Sequence, residues 1–290
     1  MPRKRPTRRL APVVLLVVVA LVAGGVYLAV RHVPAILGQT GCTAGSGHTA
    51  VALDPQQAQI AATIAGVAYN RGMPSRAVTV AYATAMQETH LHDPNYGDRD
   101  SVGVFQQRPS EGWGPPGKLI NPVYASTRFF QALAQVHGYQ KMPVYKAAQA
   151  VQHSADGSAY QQYQTLASQL TSAFTGAAAR GVWCWPAADA HRTAELNPAR
   201  RAVVRAFGPL AAQRAASVKG DGEAGGAPSL SVQVPHSSVG WAVAAWLVTH
   251  AGQFRLHEVR YAGFRWPAPT GHTGWVKDRG AAAAGTVQAS

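Results

Sequence analysis

The chain has 290 residues, 47% hydrophobic and 13% charged, with 26 Lys+Arg against 13 Asp+Glu and only two cysteines. That apolar content demands a packed core and excludes a disordered chain, and two cysteines are too few for a disulfide-built miniprotein or a multi-cysteine zinc scaffold. The net charge of +13 is uneven, with +5 in residues 1–9 and only +1 across residues 51–176, so a uniformly basic nucleic-acid binder is excluded as well.

Leu10 to Val30 carries no charge and follows Arg3, Lys4, Arg5, Arg8 and Arg9. As a helix rising about 1.5 Å per residue, it would match the roughly 30 Å of a bilayer core. The basic flank, set against Arg31 on the other side, predicts a cytoplasmic tail at 1–9, a transmembrane anchor at 10–30 and the bulk of the chain on the extracytoplasmic side of the cell membrane. A cleaved secretory signal with Val13 to Ala23 as its apolar region is the alternative, and it exports the working part equally. Residues 31–51 read as a stem containing Cys42. Export puts Cys42 and Cys184 in an oxidising compartment, where a disulfide is expected and two free thiols are the alternative.

From Asp54 to Phe174 the pattern is helical. Asp54 caps and Pro55 starts a first helix that runs to Arg71-Gly72, with Ile60, Ile64 and Val67 on one stripe. Ser75 opens a second helix, with Val78, Tyr82, Ala85 and Met86 at helical spacing, ending near Glu88. A loop rich in Pro, Gly, Asn and Asp follows, and Val102 to Phe105 within it could form a strand or hairpin edge. Pro122 to Val136, Val144 to His153 and Ser158 to Phe174 read as three more helices. The outline for 52–176 is a mainly α domain with a small β insertion.

Beyond Cys184 the composition shifts. Residues 177–228 read as a linker region with a helix from Pro198 to Ala206, and 229–278 as a small α/β domain of strand, helix and strand. Trp241, Ala244, Ala245 and Val248 share one face of that helix and, with Tyr261, are core candidates. The +6 net charge of residues 177–290 would suit anionic wall polymers or lipid headgroups. The tail at 279–290 reads as disordered.

Glu88 stands out chemically because the helix before it is uncharged from Ala77 through Gln87. A carboxylate at a helix C-terminus faces the negative end of the dipole, and apolar neighbours desolvate it; both effects favour the protonated form. A glycosidase needs such a proton for its leaving oxygen. An ordinary solvated Glu at a helix end is the plain alternative.

The order of helix-end Glu88, a polar Gly/Asp loop and Gly103-Val104-Phe105-Gln106 resembles the lysozyme-like lytic transglycosylases, whose hallmark is a Glu at a helix end followed by Gly-Leu-Met-Gln in the small β region. The run GDRDSVGVFQQRPSEGWG from Gly97 to Gly114, with MPVYKAAQAVQHS downstream, looks closer still to an actinobacterial, transglycosylase-like branch of that superfamily. The resemblance covers roughly residues 52–176. It implies a lysozyme fold in which Glu88 faces a groove holding the glycan strand of peptidoglycan, with no cofactor. Where the better-known members carry Ala-Tyr-Asn, this chain has Ala148-Gln149-Ala150, so Gln149 or Gln152 would orient the sugar.

Further roles follow from the same resemblance. Gln106 would bond substrate or hold the catalytic carboxyl, or else bond to backbone. Ser101 and Gly103 would let the loop approach the N-acetyl group. Trp113 offers a flat face for a sugar ring or a lid on the core. Asp98 and Asp100 are possible second carboxylates, although Arg99 and Arg108 are near enough in sequence to pair with them. His90-x-His92-Asp93 raises a rival, zinc or nickel on an extended segment, but no HExxH helix or paired Cys-x-x-Cys accompanies it and no metal is expected. The expected activity is cleavage of the β-1,4 bond between N-acetylmuramic acid and N-acetylglucosamine by a lytic transglycosylase, with a hydrolytic muramidase or a non-catalytic wall-binding protein as alternatives.

Overall fold

The computed structural model describes residues 40–154, 157–186, 193–208, 229–278 and 285–290. The basic tail, the Leu10 to Val30 segment and the stem up to residue 39 lie outside the described residues. Among the described residues no helix is long and apolar enough to cross a membrane.

Residues Gly41 to Ser290 form one compact unit, mainly α with two small antiparallel sheets. The first sheet has the order β2-β1-β3, from β1 (Gly41–Ala44), β2 (Val51–Leu53) and β3 (Val182–Trp185). Cys42 and Cys184 stand opposite each other on β1 and β3 and form a disulfide. The end of the stem is therefore an ordered strand tied to the segment that follows the central helices, rather than a free stalk.

Helix α1 (Pro55–Asn70) starts where the sequence says it should. Asp54 Oδ1 accepts the Gln57 N–H at 2.9 Å, and Gln57 Oε1 accepts the Asp54 N–H at 3.0 Å, a reciprocal cap with Pro55 in the first turn. Helix α2 (Ser75–Thr89) packs against it, and the buried Tyr82 hydroxyl donates to the Ala61 carbonyl at 2.7 Å. The one-turn α3 (Pro116–Leu119) leads into α4 (Pro122–Gln135), capped by Asn121. Then come α5 (Val144–Gln152), α6 (Ser158–Gln161) and α7 (Gln164–Phe174). The helix expected over Ser158 to Phe174 is thus two helices with a break at Gln162 and Tyr163.

The carboxyl-terminal part joins the same core. Helix α8 (Leu196–Phe207) packs on α1, where a Cβ at Gly66 would lie 3.0 Å from the Phe207 ring, so a larger residue there would push the two helices apart by a few tenths of an ångström. Helix α9 (Ser237–Thr249) is buried from Val239 to Thr249 and touches α1, α7 and the second sheet, so it is a central helix rather than one with a single apolar face. The one-turn α10 (Ala251–Phe254) follows it.

The second sheet has the order β4-β8-β5-β6-β7, from β4 (Leu230–Gln233), β5 (Glu258–Tyr261), β6 (Phe264–Pro267), β7 (Val276–Lys277) and β8 (Thr286–Ala289). Two findings correct the expectations here. Residues 229–278 share the core of the preceding helices, because α9 fills the space between α1 and the sheet. The tail expected to be disordered supplies β8, an interior strand pairing with β4 and β5, with Val287 and Ala289 buried on its inner face. Four residues of alternating burial suffice for a strand when both edges find partners.

Candidate active site

Glu88 lies in the last turn of α2, whose body from Ala77 to Met86 is buried. The helix stops because His90 and Leu91 both take left-handed backbone, at φ 54° and 59°, and turn the chain off the helix axis. The half-buried Glu88 carboxyl stays at the helix end. Its Oε1 accepts two hydrogen bonds, from the Tyr160 hydroxyl at 2.8 Å and from Gln152 Nε2 at 3.2 Å. Its Oε2 has no hydrogen-bond partner among the described residues.

These donors are themselves held. Gln152 ends α5, and its Nε2 also donates to the Phe105 carbonyl at 2.8 Å; two acceptors on one atom fix which end of the amide carries nitrogen. Tyr160, on α6, is pushed up in pKa chiefly by burial, with the Glu88 charge acting in the same direction, while the Ser154 side chain bonds to it and opposes the rise. Its hydroxyl therefore stays protonated as a donor over the whole working pH range.

The loop after α2 is fastened to this helix end at several points. Thr89 Oγ1 donates to the Val104 carbonyl at 2.9 Å, and the Asp93 carboxyl accepts the Val104 N–H. Phe105 is fully buried and stacks on Phe129 with ring centroids 4.4 Å apart. Burial pushes the Asp93 carboxyl up to about 7, and its Oδ1 is buried without a hydrogen-bond partner. The expected β insertion is only a single bridge between Val102 and Gln107. Gly103 at φ 78° and Gln106 at φ 47° turn the chain too tightly for a strand.

Most of the loop residues expected to bind substrate make bonds or contacts within the fold itself. Gln106 makes no bond to Glu88. Its Oε1 accepts from Ser101 Oγ at 3.0 Å, and its Nε2 donates to the Tyr96 and Gly103 carbonyls, so it braces the loop from inside. Ser101 is buried and spent on that bond. The open side of Gly103 faces the Leu119 carbonyl, only 2.3 Å from where a Cβ would sit, so this glycine serves loop packing. Trp113 is partly buried against the core, and its carbonyl accepts from Arg128. Of the two glutamines, Gln152 reaches Glu88, whereas Gln149 donates to the Ser154 carbonyl.

The two expected second carboxylates differ in their surroundings. Asp98 is exposed, with Arg99 3.9 Å away. Asp100 accepts from Arg108 Nε at 2.9 Å and from the Ser110 N–H at 2.7 Å and hydroxyl at 3.0 Å, and clamps the two ends of the loop. The Ser110 N–H above all, then the Ser110 hydroxyl and Arg108, lower its carboxyl to about 2. An unfolded Asp titrates near ~3.9, so this clamp stabilises the fold fully above that value and is lost as pH falls through the folded value. The Tm difference between the protein and Asp100→Asn is expected to shrink as pH falls from about 5 toward 2. A constant difference would show that the clamp does not depend on the Asp100 charge.

The histidines serve local structure. His92 Nε2 lies 2.9 Å from Asp54 Oδ2 with its Nδ1 on the Thr89 carbonyl, and His90 Nε2 lies 3.2 Å from the Tyr163 hydroxyl. Among the described residues no three His, Cys, Asp or Glu side chains are grouped to hold a metal. Sequence reasoning missed Tyr160 and Ser154 altogether, and it met Asp93 only within the metal motif. Nothing local marks Tyr160, which reaches Glu88 from 72 positions away. In comparisons with known protein families and with curated proteins, the chain matches none.

Proposed function

We propose that the protein is an exported, membrane-anchored enzyme that cleaves the β-1,4 bond between N-acetylmuramic acid and N-acetylglucosamine in peptidoglycan, in the manner of a lytic transglycosylase. One observation carries this reading: Glu88 has one oxygen fixed by two donors and the other without a hydrogen-bond partner among the described residues, at the end of a buried helix. The sequence resemblance at Glu88 and Gly97 to Gly114 supports the substrate class, and the Cys42–Cys184 disulfide suits an exported chain.

The chemistry follows from what surrounds the carboxyl. A proton on Oε2 is free to pass to the glycosidic oxygen as the bond breaks. Asp100 is committed to Arg108 and Ser110 and Asp98 is solvated, so neither supplies a nucleophile. The substrate's own N-acetyl group then stabilises the developing cation. Glu88, now deprotonated, takes the proton of the muramic acid 6-hydroxyl, which attacks the anomeric carbon and closes a 1,6-anhydro ring. No water enters the product.

Mass spectrometry of peptidoglycan digested by the purified protein tests this. The expected products end in 1,6-anhydromuramic acid; normal reducing ends would make the enzyme a muramidase, and an intact glycan would leave a wall-binding protein. Tyr160→Phe removes the donor at 2.8 Å while keeping the ring. It is expected to lower kcat by about tenfold, the worth of one hydrogen bond to a charged group, with little change in KM. An unchanged kcat would show that Tyr160 does not hold the carboxyl in the reaction.

A further inference from the structure

A cleft lies beside the loop that follows Glu88. It measures about 500 Å³ and sits between α1, the start of α4, the end of α8 and α9–α10, within the size range of small-ligand sites. Residues of the Glu88 turn border it: Asp93 lines the cleft, and Gln57, between the lining residues Gln56 and Gln59, donates to the His90 carbonyl at 2.9 Å.

Four side-chain amides line this cleft, and two have a fixed polarity. Gln59 Nε2 donates to the Thr249 carbonyl, so its Oε1 is left as an acceptor. Asn121 Oδ1 caps α4 through Val123 and Tyr124, so its Nδ2 is left as a donor. Gln56 and Gln253 are exposed at the mouth. One acceptor and one donor are the kinds of group that the N–H and C=O of a peptide unit require.

Charge narrows the ligand further. Arg205 lines the cleft, is exposed and makes no ion pair with the described residues. His250 is buried, and burial lowers it to about 4, so it is neutral at physiological pH; among the described lining residues Arg205 is the one cation and Asp93, whose carboxyl burial pushes up to about 7, the one acid. One guanidinium suits one carboxylate and is too little for a phosphorylated ligand. Trp246, His250 and Phe254 stack on one another beneath the surface, each under 10% exposed, so no open aromatic face offers itself to a sugar ring. The apolar floor, with Ile60 and Ala206 among its residues, accepts small aliphatic side chains.

We infer that this cleft binds a short peptide of small residues ending in a free carboxylate, with Arg205 taking the carboxylate and Gln59 and Asn121 reading the backbone. Naming the alanine-containing stem peptides of peptidoglycan as its source rests on the proposed function; the binding chemistry does not. The cleft would then hold the peptide borne by the muramic acid while Glu88 acts on the glycan.

Equilibrium dialysis of the full chain against labelled tri-alanine and its C-terminal amide tests the inference. Saturable binding of the acid, with the amide at least about tenfold weaker, is expected from the loss of a charge-assisted bond. Arg205 is exposed and makes no ion pair with the described residues, so Arg205→Gln should fold normally and bind both forms alike; separately, Glu88→Gln should bind as the parent does. No saturable binding, equal binding of acid and amide, or discrimination that survives Arg205→Gln would overturn the assignment. Tri-alanine binding by a protein that leaves glycan uncut would uphold the cleft and refute the enzyme, and the opposite pair of results would do the reverse.

Discussion

Glu88→Gln is expected to abolish most glycan cleavage, by at least roughly two orders of magnitude, the usual contribution of a general acid. The amide keeps the shape of the carboxyl and can still accept from Tyr160 and Gln152, which approach the same oxygen. What it loses is the proton on the other atom. Release of soluble muropeptides from purified peptidoglycan measures the effect, and the melting temperature of the variant shows that the fold survives. An active Glu88→Gln would remove both the transglycosylase and the muramidase mechanisms, since each needs that acid. Glu88→Asp would test position separately from chemistry: the shorter side chain keeps a carboxyl but withdraws it from Tyr160.

Breaking the Cys42–Cys184 disulfide is expected to cost up to about 4 to 5 kcal/mol in the chain-entropy picture. The bond spans a sequence separation of 142 and closes helices α1 to α7 into one loop. The two residues are directly paired across the β1–β3 ladder and both are buried, so the ladder hydrogen bonds remain when the sulfurs are separated and the actual loss falls below that ceiling. Denaturant unfolding of the protein with and without reductant measures it, alongside Cys42→Ala/Cys184→Ala. Thiol labelling of the denatured, unreduced protein should find no free cysteine; two labelled thiols would eliminate the effect at its source.

Much of the helical framework was legible because its signals are local. Asp54-Pro55 with Gln57 three positions after the cap is a complete helix start, and the structure begins α1 there. Asn121-Pro122 does the same for α4. Glu88 drew attention as a carboxylate ending an uncharged helix and, above all, through the resemblance of the loop motif that follows it, both within one stretch of sequence. The loop's own bonds were not legible for the same reason: Gln106, Ser101 and Gly103 look available in sequence, and only packing shows that they also meet Tyr96, one another and Leu119.

By itself the sequence determined where α1, α2 and α4 start and that Glu88 sits at a helix end, because caps, prolines and apolar periodicity act over a few residues. The tertiary structure alone decided what surrounds that carboxyl. Tyr160 and Gln152 reach Glu88 from 72 and 64 positions away, α9 is enclosed on every side, and the last residues become an interior strand. Each of these depends on which distant segments share a surface. Hydrogen bonding and burial are satisfied by partners in space, and a one-dimensional pattern carries no record of which partners those are.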